Sequence, residues 1–245
     1  MIIKTFSDKK ELYQEAVTIF QKQLQQKSNS VLGLATGKTP IPLYQGLVQA
    51  YQQKQIDFSH SVTFNLDEYA GLPQSHPMSY RYFMRQQLFD FVNLPLENIH
   101  IPDGMNPDLE EECLLYETAL EKYWPIDLQL LGIGCNGHIG FNEPGTNFTS
   151  TTHSTPLSAS TRTANARFFS SSEEVPHYAV TMGIGSILKA KSILLIVTGS
   201  SKANILYQAC KGPVTEKIPA SALQLHPHVT VLTDTRFEWF STCQP

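Results

Sequence analysis

The chain has 245 residues, 41% hydrophobic and 16% charged, which is the composition of a globular protein long enough to bury a core. Eighteen Lys and Arg against 22 Asp and Glu give a net charge of -4, without the basic excess that a non-specific nucleic-acid binder carries. No run approaches the ~18 apolar residues of a membrane span, and the opening MIIKTFSDKKELYQE lacks the apolar centre of a secretion signal. With four scattered cysteines and no C-x-x-C, the expectation is a cytoplasmic protein with free thiols, no membrane partner and no nucleic acid.

In chain order, a helical pattern covers residues 8–26, followed by the apolar run SVLGLATG at 30–37 and a helix at 40–53. SVTFNLDEY at 61–69 begins as a strand, and helices follow at 79–91 and 107–123. Then come IDLQLLGIG at 126–134, YAVTMGIG at 178–185, SILLIVTG at 192–199, a helix at 202–210 and HVTVLTD at 228–234. Near-continuous apolar strands alternating with helices predict an α/β fold, a Rossmann-like open and mostly parallel sheet with helices on both faces. Such sheets bind ligands at the carboxyl ends of strands, where the strand order switches. Chemically capable residues follow those ends here: Thr36-Gly37-Lys38-Thr39, Asp67-Glu68, Asn136-Gly137-His138 and Ser200-Ser201-Lys202. They are expected to converge on one site.

Each motif has two readings. Gly37-Lys38-Thr39 resembles the end of a phosphate-binding P-loop, but only three residues separate Gly33 from Gly37 where four are required. A strand, a Gly/Thr turn and Pro40 opening a helix still make an anion site, with backbone N–H groups aimed at the ligand. The alternative is an ordinary turn capped by Thr39. LGIGCNGHIGFNEPGT, residues 131–146, matches the dinucleotide fingerprint G-x-G-x-x-G through Gly132, Gly134 and Gly137. The fingerprint must run into a helix, whereas Gly140, Pro144 and Gly145 follow here. No acid stands about twenty residues on, so the sequence argues against a nicotinamide cofactor. What remains is a Gly-rich loop carrying Asn136, His138 and Glu143, a pattern suited to a tuned acid/base. Asp67 and Glu68 after an apolar strand are candidates for proton abstraction, because close like charges raise one pKa. His226-Pro227-His228 has no third ligand nearby and reads as structural, so no metal is expected.

GLATGKTP, VTFNLDEYAGLP, HPMSYRYFM, LGIGCNGHIGFNEPG, TRTANARFF, VTGSSKA and LQLHP, in that order, resemble the glucosamine-6-phosphate deaminase family. The resemblance covers most of the chain and implies a single deaminase domain, residues 1–245, with a mobile lid at about 153–182. It implies the conversion of D-glucosamine 6-phosphate and water to D-fructose 6-phosphate and ammonia, in amino-sugar catabolism and without a cofactor. Asp67 matches the enolisation base, His138 the group that opens the pyranose ring, and Glu143 the carboxylate that orients it. Thr36, Gly37, Lys38, Thr39, Arg167 and Lys202 match the phosphate cradle. Asn136 departs from the Asp that many members carry, and Asn can hydrogen-bond but not exchange a proton at neutral pH. Lys38 departs from the usual small residue. TNFTSTTHST, the start of the lid region, has no Arg or Lys, and the chain ends soon after the last predicted strand. The expectation is therefore a monomer or small homo-oligomer without allosteric activation. Two alternatives share the fold, a phosphogluconolactonase or ribose-phosphate isomerase, and a sugar-phosphate sensor. FNLDEY with FNEPG opposes the first, and the lack of a helix-turn-helix before residue 30 opposes the second.

Overall fold

The computed structural model describes residues 1–157, 162, 166, 169 and 174–235. Seven parallel strands form the main sheet: β1 (Ile2–Thr5), β2 (Val31–Leu34), β3 (Val62–Asn65), β5 (Ile99–His100), β6 (Leu128–Leu131), β9 (Ile193–Val197) and β10 (Val229–Thr233). Their order is β1-β10-β9-β6-β2-β3-β5. Every residue of β2, β3, β6 and β9 is buried. Successive side chains on a strand point to opposite faces, so both faces are covered. That burial explains why these strands read as unbroken apolar runs.

Helices α1 (Lys9–Gln26), α2 (Ile41–Gln52), α3 (Tyr80–Gln87), α4 (Leu109–Tyr123), α5 (Ile184–Ile187) and α6 (Ala203–Lys211) fill the intervals. Asp8 caps α1 by accepting from Lys10 N at 2.8 Å, and Asp108 caps α4 by accepting from Glu110 and Glu111 N, both at 3.1 Å. Helix α2 differs. Its N-cap is Pro40, with no side-chain cap, and Thr39 does not serve as one. The expected helix at 79–91 ends at Gln87 and continues as a 3-10 turn, Phe89–Phe91.

A second sheet of three antiparallel strands stands beside the first, in the order β4-β8-β7: β4 (Asp67–Tyr69), β7 (His153–Pro156) and β8 (Tyr178–Thr181). Here the structure corrects the sequence. Residues 61–69 are two strands in two sheets, and residues 178–181 pair antiparallel with β4 rather than joining the parallel sheet. Leu66 is the junction. Its N–H donates to Leu34 O at 3.0 Å in the large sheet, and its carbonyl accepts from Met182 N at 2.7 Å at the end of β8. The chain thus crosses between sheets within one residue, and Asp67 is the first residue beyond. Arg167 and the middle of the expected lid segment lie outside the described residues.

From β2 the chain continues to β3 on one side, whereas β6 lies on the other. The order therefore reverses between β2 and β6, and a crevice opens at their carboxyl ends.

Candidate active site

A cavity of about 200 Å³ occupies that crevice, lined by the segments 35–40 after β2 and 132–134 after β6, with Asp67, Tyr80, His138 and Gly140. Of the residues singled out in the sequence, Thr36, Gly37, Lys38, Thr39, Asp67 and His138 are on its wall. Asn136 and Glu143 stand behind His138, and Lys202 lies against the outside of the loop that forms the wall.

The first component is a backbone turn, the candidate anion site. Gly37 takes φ +95° to turn the chain out of β2, a conformation that favours glycine. Among the described residues, the N–H groups of Thr36, Gly37 and Thr39 donate to no backbone acceptor. They lie just before the start of α2, whose first turn has few N–H groups of its own to offer, since Pro40 and Pro42 have none and Ile41 N donates to Lys38 O at 3.4 Å. Tyr13 Oη fixes the loop by donating to Thr39 O at 2.8 Å. Lys202, in the 3-10 turn Ser200–Lys202 after β9, donates from Nζ to Ile133 O at 3.0 Å and to Cys135 Sγ at 3.1 Å. Its charge is thereby held against the loop after β6, near enough to act on His138.

The second component is the carboxylate pair, and the two acids part company. Glu68 accepts from Tyr69 N and Tyr80 N, both at 2.8 Å, and from Arg81 N at 2.9 Å. It is a helix clamp: it satisfies the first turn of α3 and ties it to β4. Burial pushes it up to about 6, against the pull of those three N–H donors and Arg81. Asp67, on the opposite face of β4, looks into the cavity and is only 6% exposed. Burial, then the nearby Glu68 charge, pushes its carboxyl up to about 8. The free carboxyl thus keeps its proton through neutrality and is a strong base once it ionises.

The third component is the loop after β6. It does not continue into a helix, in keeping with the case against a dinucleotide site. Gly134 N donates to His138 O at 2.9 Å, and a Cβ on Gly134 would sit 2.2 Å from the imidazole. Glycine is what lets the ring lie flat on the loop. Asn136 stands between His138 and Glu143. Its Nδ2 donates to Glu143 Oε2 at 2.6 Å, while its Oδ1 is 2.7 Å from His138 Nδ1. The direct approach of Glu143 Oε1 to Nδ1 is longer, 3.6 Å. A carboxylate can only accept, so the amide nitrogen must face Glu143 and the amide oxygen must face the histidine. Nδ1 then carries the ring proton, and Nε2 keeps a lone pair. Burial holds the imidazole below its ordinary pKa; Glu143 opposes this and Lys202 adds to it. The site therefore offers a neutral imidazole and a buried carboxyl beside an anion cradle, which is the equipment for moving protons on an anionic ligand.

Three further positions emerge only in three dimensions. Tyr80 forms part of the wall, with its hydroxyl 3.2 Å from Tyr69 Oη and its ring parallel to Phe141. Gly140, at φ +58°, brings the loop against Asp67, and Thr181 pairs with Asp67 across the small sheet. The Ser79 cap was the local signal for Tyr80; nothing local marks the other two. Elsewhere, His226 uses both ring nitrogens on backbone: Nε2 on Ala190 O at 2.7 Å and Nδ1 on His228 N at 3.1 Å. Cys113, Cys135 and Cys210 are unbonded thiols. No helix among the described residues is long and apolar enough to cross a membrane.

Comparison with known proteins agrees with this architecture. Residues 7–232 match the family model described as glucosamine-6-phosphate isomerases/6-phosphogluconolactonase. A glucosamine-6-phosphate deaminase of Thermoanaerobacter pseudethanolicus is 52% identical over 224 residues, 91% of this chain and 88% of the relative. That of Bacillus pumilus is 50% identical over 234 residues, 96% and 97% of the two chains. A solved structure of a monomeric glucosamine-6-phosphate deaminase superposes with a TM-score of 0.92 at 45% identity, covering 95% of this chain and 97% of the other. The 6-phosphogluconolactonase of Thermotoga maritima shares the fold at a TM-score of 0.75 and 22% identity, over 95% and 98% of the two chains. Matched over nearly its whole length, the chain belongs to the family of glucosamine-6-phosphate isomerases and 6-phosphogluconolactonases.

Proposed function

We propose that the protein is a glucosamine-6-phosphate deaminase, converting D-glucosamine 6-phosphate and water to D-fructose 6-phosphate and ammonia. The observation that carries this reading is that Asp67 and His138 share one cavity wall with the backbone turn at 36–39, where the N–H groups of Thr36, Gly37 and Thr39 donate to no backbone acceptor among the described residues. Relatives at about half identity that bear the deaminase name support it over the lactonase branch, which is similar in fold alone.

In this reading the 6-phosphate occupies the cradle, with Lys202 supplying charge and Arg167, outside the described residues, expected to add to it. Binding at that remote group holds the sugar while it changes shape. His138 Nε2 takes the proton of the C1 hydroxyl and gives it to the ring oxygen, which opens the pyranose to an aldehyde and leaves the imidazole unchanged. Asn136 and Glu143 hold the tautomer that this shuttle needs. Asp67 then removes the proton from C2 while a proton of the substrate's ammonium passes to O1, giving an enolamine, and Asp67 returns its proton to C1 to leave a protonated imine at C2. The resulting C2 imine is hydrolysed by water to the ketone and ammonia. The substrate's own ammonium, next to the C2 hydrogen, favours the ionised form of a carboxyl that is otherwise protonated at neutral pH. A monomer or small homo-oligomer is the expected state, supported by the monomeric deaminase of similar structure.

The test is ammonia release by the purified chain. Glucosamine 6-phosphate should yield ammonia and fructose 6-phosphate in equal amounts. Release of acid from 6-phosphogluconolactone without ammonia from the amino sugar would assign the protein to the lactonase branch.

A further inference from the structure

Thr181 lies directly opposite Asp67 in the β4–β8 ladder, and residues so paired point to the same face. Its side chain is fully buried. Thr181 Oγ1 accepts from Phe141 N at 3.1 Å, so its own proton needs a separate acceptor. The one in reach is the Met182 carbonyl, 3.5 Å away and already taken by Asn142 Nδ2 at 2.9 Å. A contact of that length is weak. The Asp67 carboxyl, on the same face, feels burial and the Glu68 charge, and among the described residues it has no hydrogen-bond donor. Gly140 separates the two. A Cβ on it would lie 2.9 Å from Thr181 Oγ1 and 3.4 Å from Asp67 Oδ2, so both oxygens border one notch that a side chain would fill. An under-used buried donor and a donorless carboxyl thus face the same small space.

We propose that Thr181 is a positioning residue for the base: as Asp67 ionises, the Thr181 hydroxyl turns from the Met182 carbonyl to Asp67 Oδ2 and holds the carboxylate toward the cavity. This rests on the assignment of Asp67 under the proposed function. The other titratable groups that act on Asp67 or share its cavity are Glu68 on its own strand, Lys38 from the turn after β2, Tyr80 from α3, Tyr116 from α4 and His138 across the cavity. None of them is a donor to the carboxylate in this structure, and β8 places no titratable side chain opposite it.

A donor to the charged form lowers the pKa of an acid. Thr181→Val keeps the volume and removes the hydroxyl; Thr181→Ser keeps the hydroxyl. The experiment follows the Asp67 carboxyl by carbon NMR on protein labelled at aspartate carboxyls, the signal being assigned by its loss in Asp67→Asn. The midpoint should rise by about one unit or more in Thr181→Val and return in Thr181→Ser. The low-pH limb of kcat/KM should move with it. An unmoved midpoint in Thr181→Val overturns the proposal. If that variant does not fold, Thr181→Cys, a weaker donor, should show the same shift at smaller size, and its absence overturns the proposal equally. The titration needs no turnover, so an unmoved midpoint with normal ammonia release removes Thr181 alone. Full turnover by Asp67→Asn would instead remove the functional reading.

Discussion

The two sheets contribute opposite things to one cavity. The central strands of the large parallel sheet are buried on both faces and end in backbone: a turn after β2 where the N–H groups of Thr36, Gly37 and Thr39 donate to no backbone acceptor among the described residues, and a loop after β6 that carries a histidine on glycine. The small antiparallel sheet supplies a side chain to the cavity wall, Asp67, from a strand of three residues. Leu66 bonds to both sheets and fixes their relation. In the proposed reaction, recognition of the anion thus falls to the large sheet and proton abstraction to the small one, with a substrate spanning the junction between them.

This division of labour predicts separable defects. The largest should come from the proton-transfer side chain of the β6 loop. His138→Ala is expected to lower kcat by roughly 10²–10⁴-fold while phosphosugar binding persists; binding lost together with turnover would mean that the loop also shapes the anion site. Lys202→Ala should weaken substrate binding by roughly 1.5–3 kcal/mol, the range for charged hydrogen bonds, and glucosamine without phosphate should be a very poor substrate. An unchanged KM in Lys202→Ala would place the phosphate elsewhere.

Smaller effects sharpen the comparison. Asn136→Asp replaces a neutral relay with a second carboxylate beside His138, which favours the imidazolium. The histidine limb of kcat/KM should move to higher pH, by up to about 1–3 units, with turnover retained. Superimposable profiles at matched ionic strength would reduce residue 136 to a loop-shaping role. The smallest concerns stability. The Asp67 carboxyl is raised to about 8, well above its unfolded value. Between those two values the folded state binds the extra proton, so stability falls as pH rises through that window. Asp67→Asn, nearly isosteric and always neutral, should therefore be more stable than the parent at pH 9, by about 1 kcal/mol or more. The difference should vanish below pH 4, and melting curves at the two pH values test it.

How much of this was legible in the sequence depended on burial. The parallel strands could be read because doubly covered strands are unbroken apolar runs, and their carboxyl ends pointed to the site. β1, with Ile2 61% exposed at the sheet edge, and the two-residue β5 gave no such pattern. β7 reads HSTP and owes its conformation to pairing with β8. The split at Leu66 was hidden because SVTFNLDEY is apolar enough to read as one strand. Asp67 and Glu68 were equivalent by local pattern, and only the resemblance singled out Asp67; the position of α3 shows that Glu68 is a helix clamp while Asp67 faces the cavity. Asn136 was read as a hydrogen-bonding position, but its place between Glu143 and His138 required coordinates.

In the proposed reaction, binding and proton abstraction belong to different sheets. Asp67→Asn, mixed with glucosamine 6-phosphate in deuterium oxide and followed by proton NMR, separates the two. The variant should bind the phosphosugar with near-parental affinity, while deuterium no longer enters at C2 and no ammonia appears. Deuterium entering C2 at the parental rate would show that another group is the base.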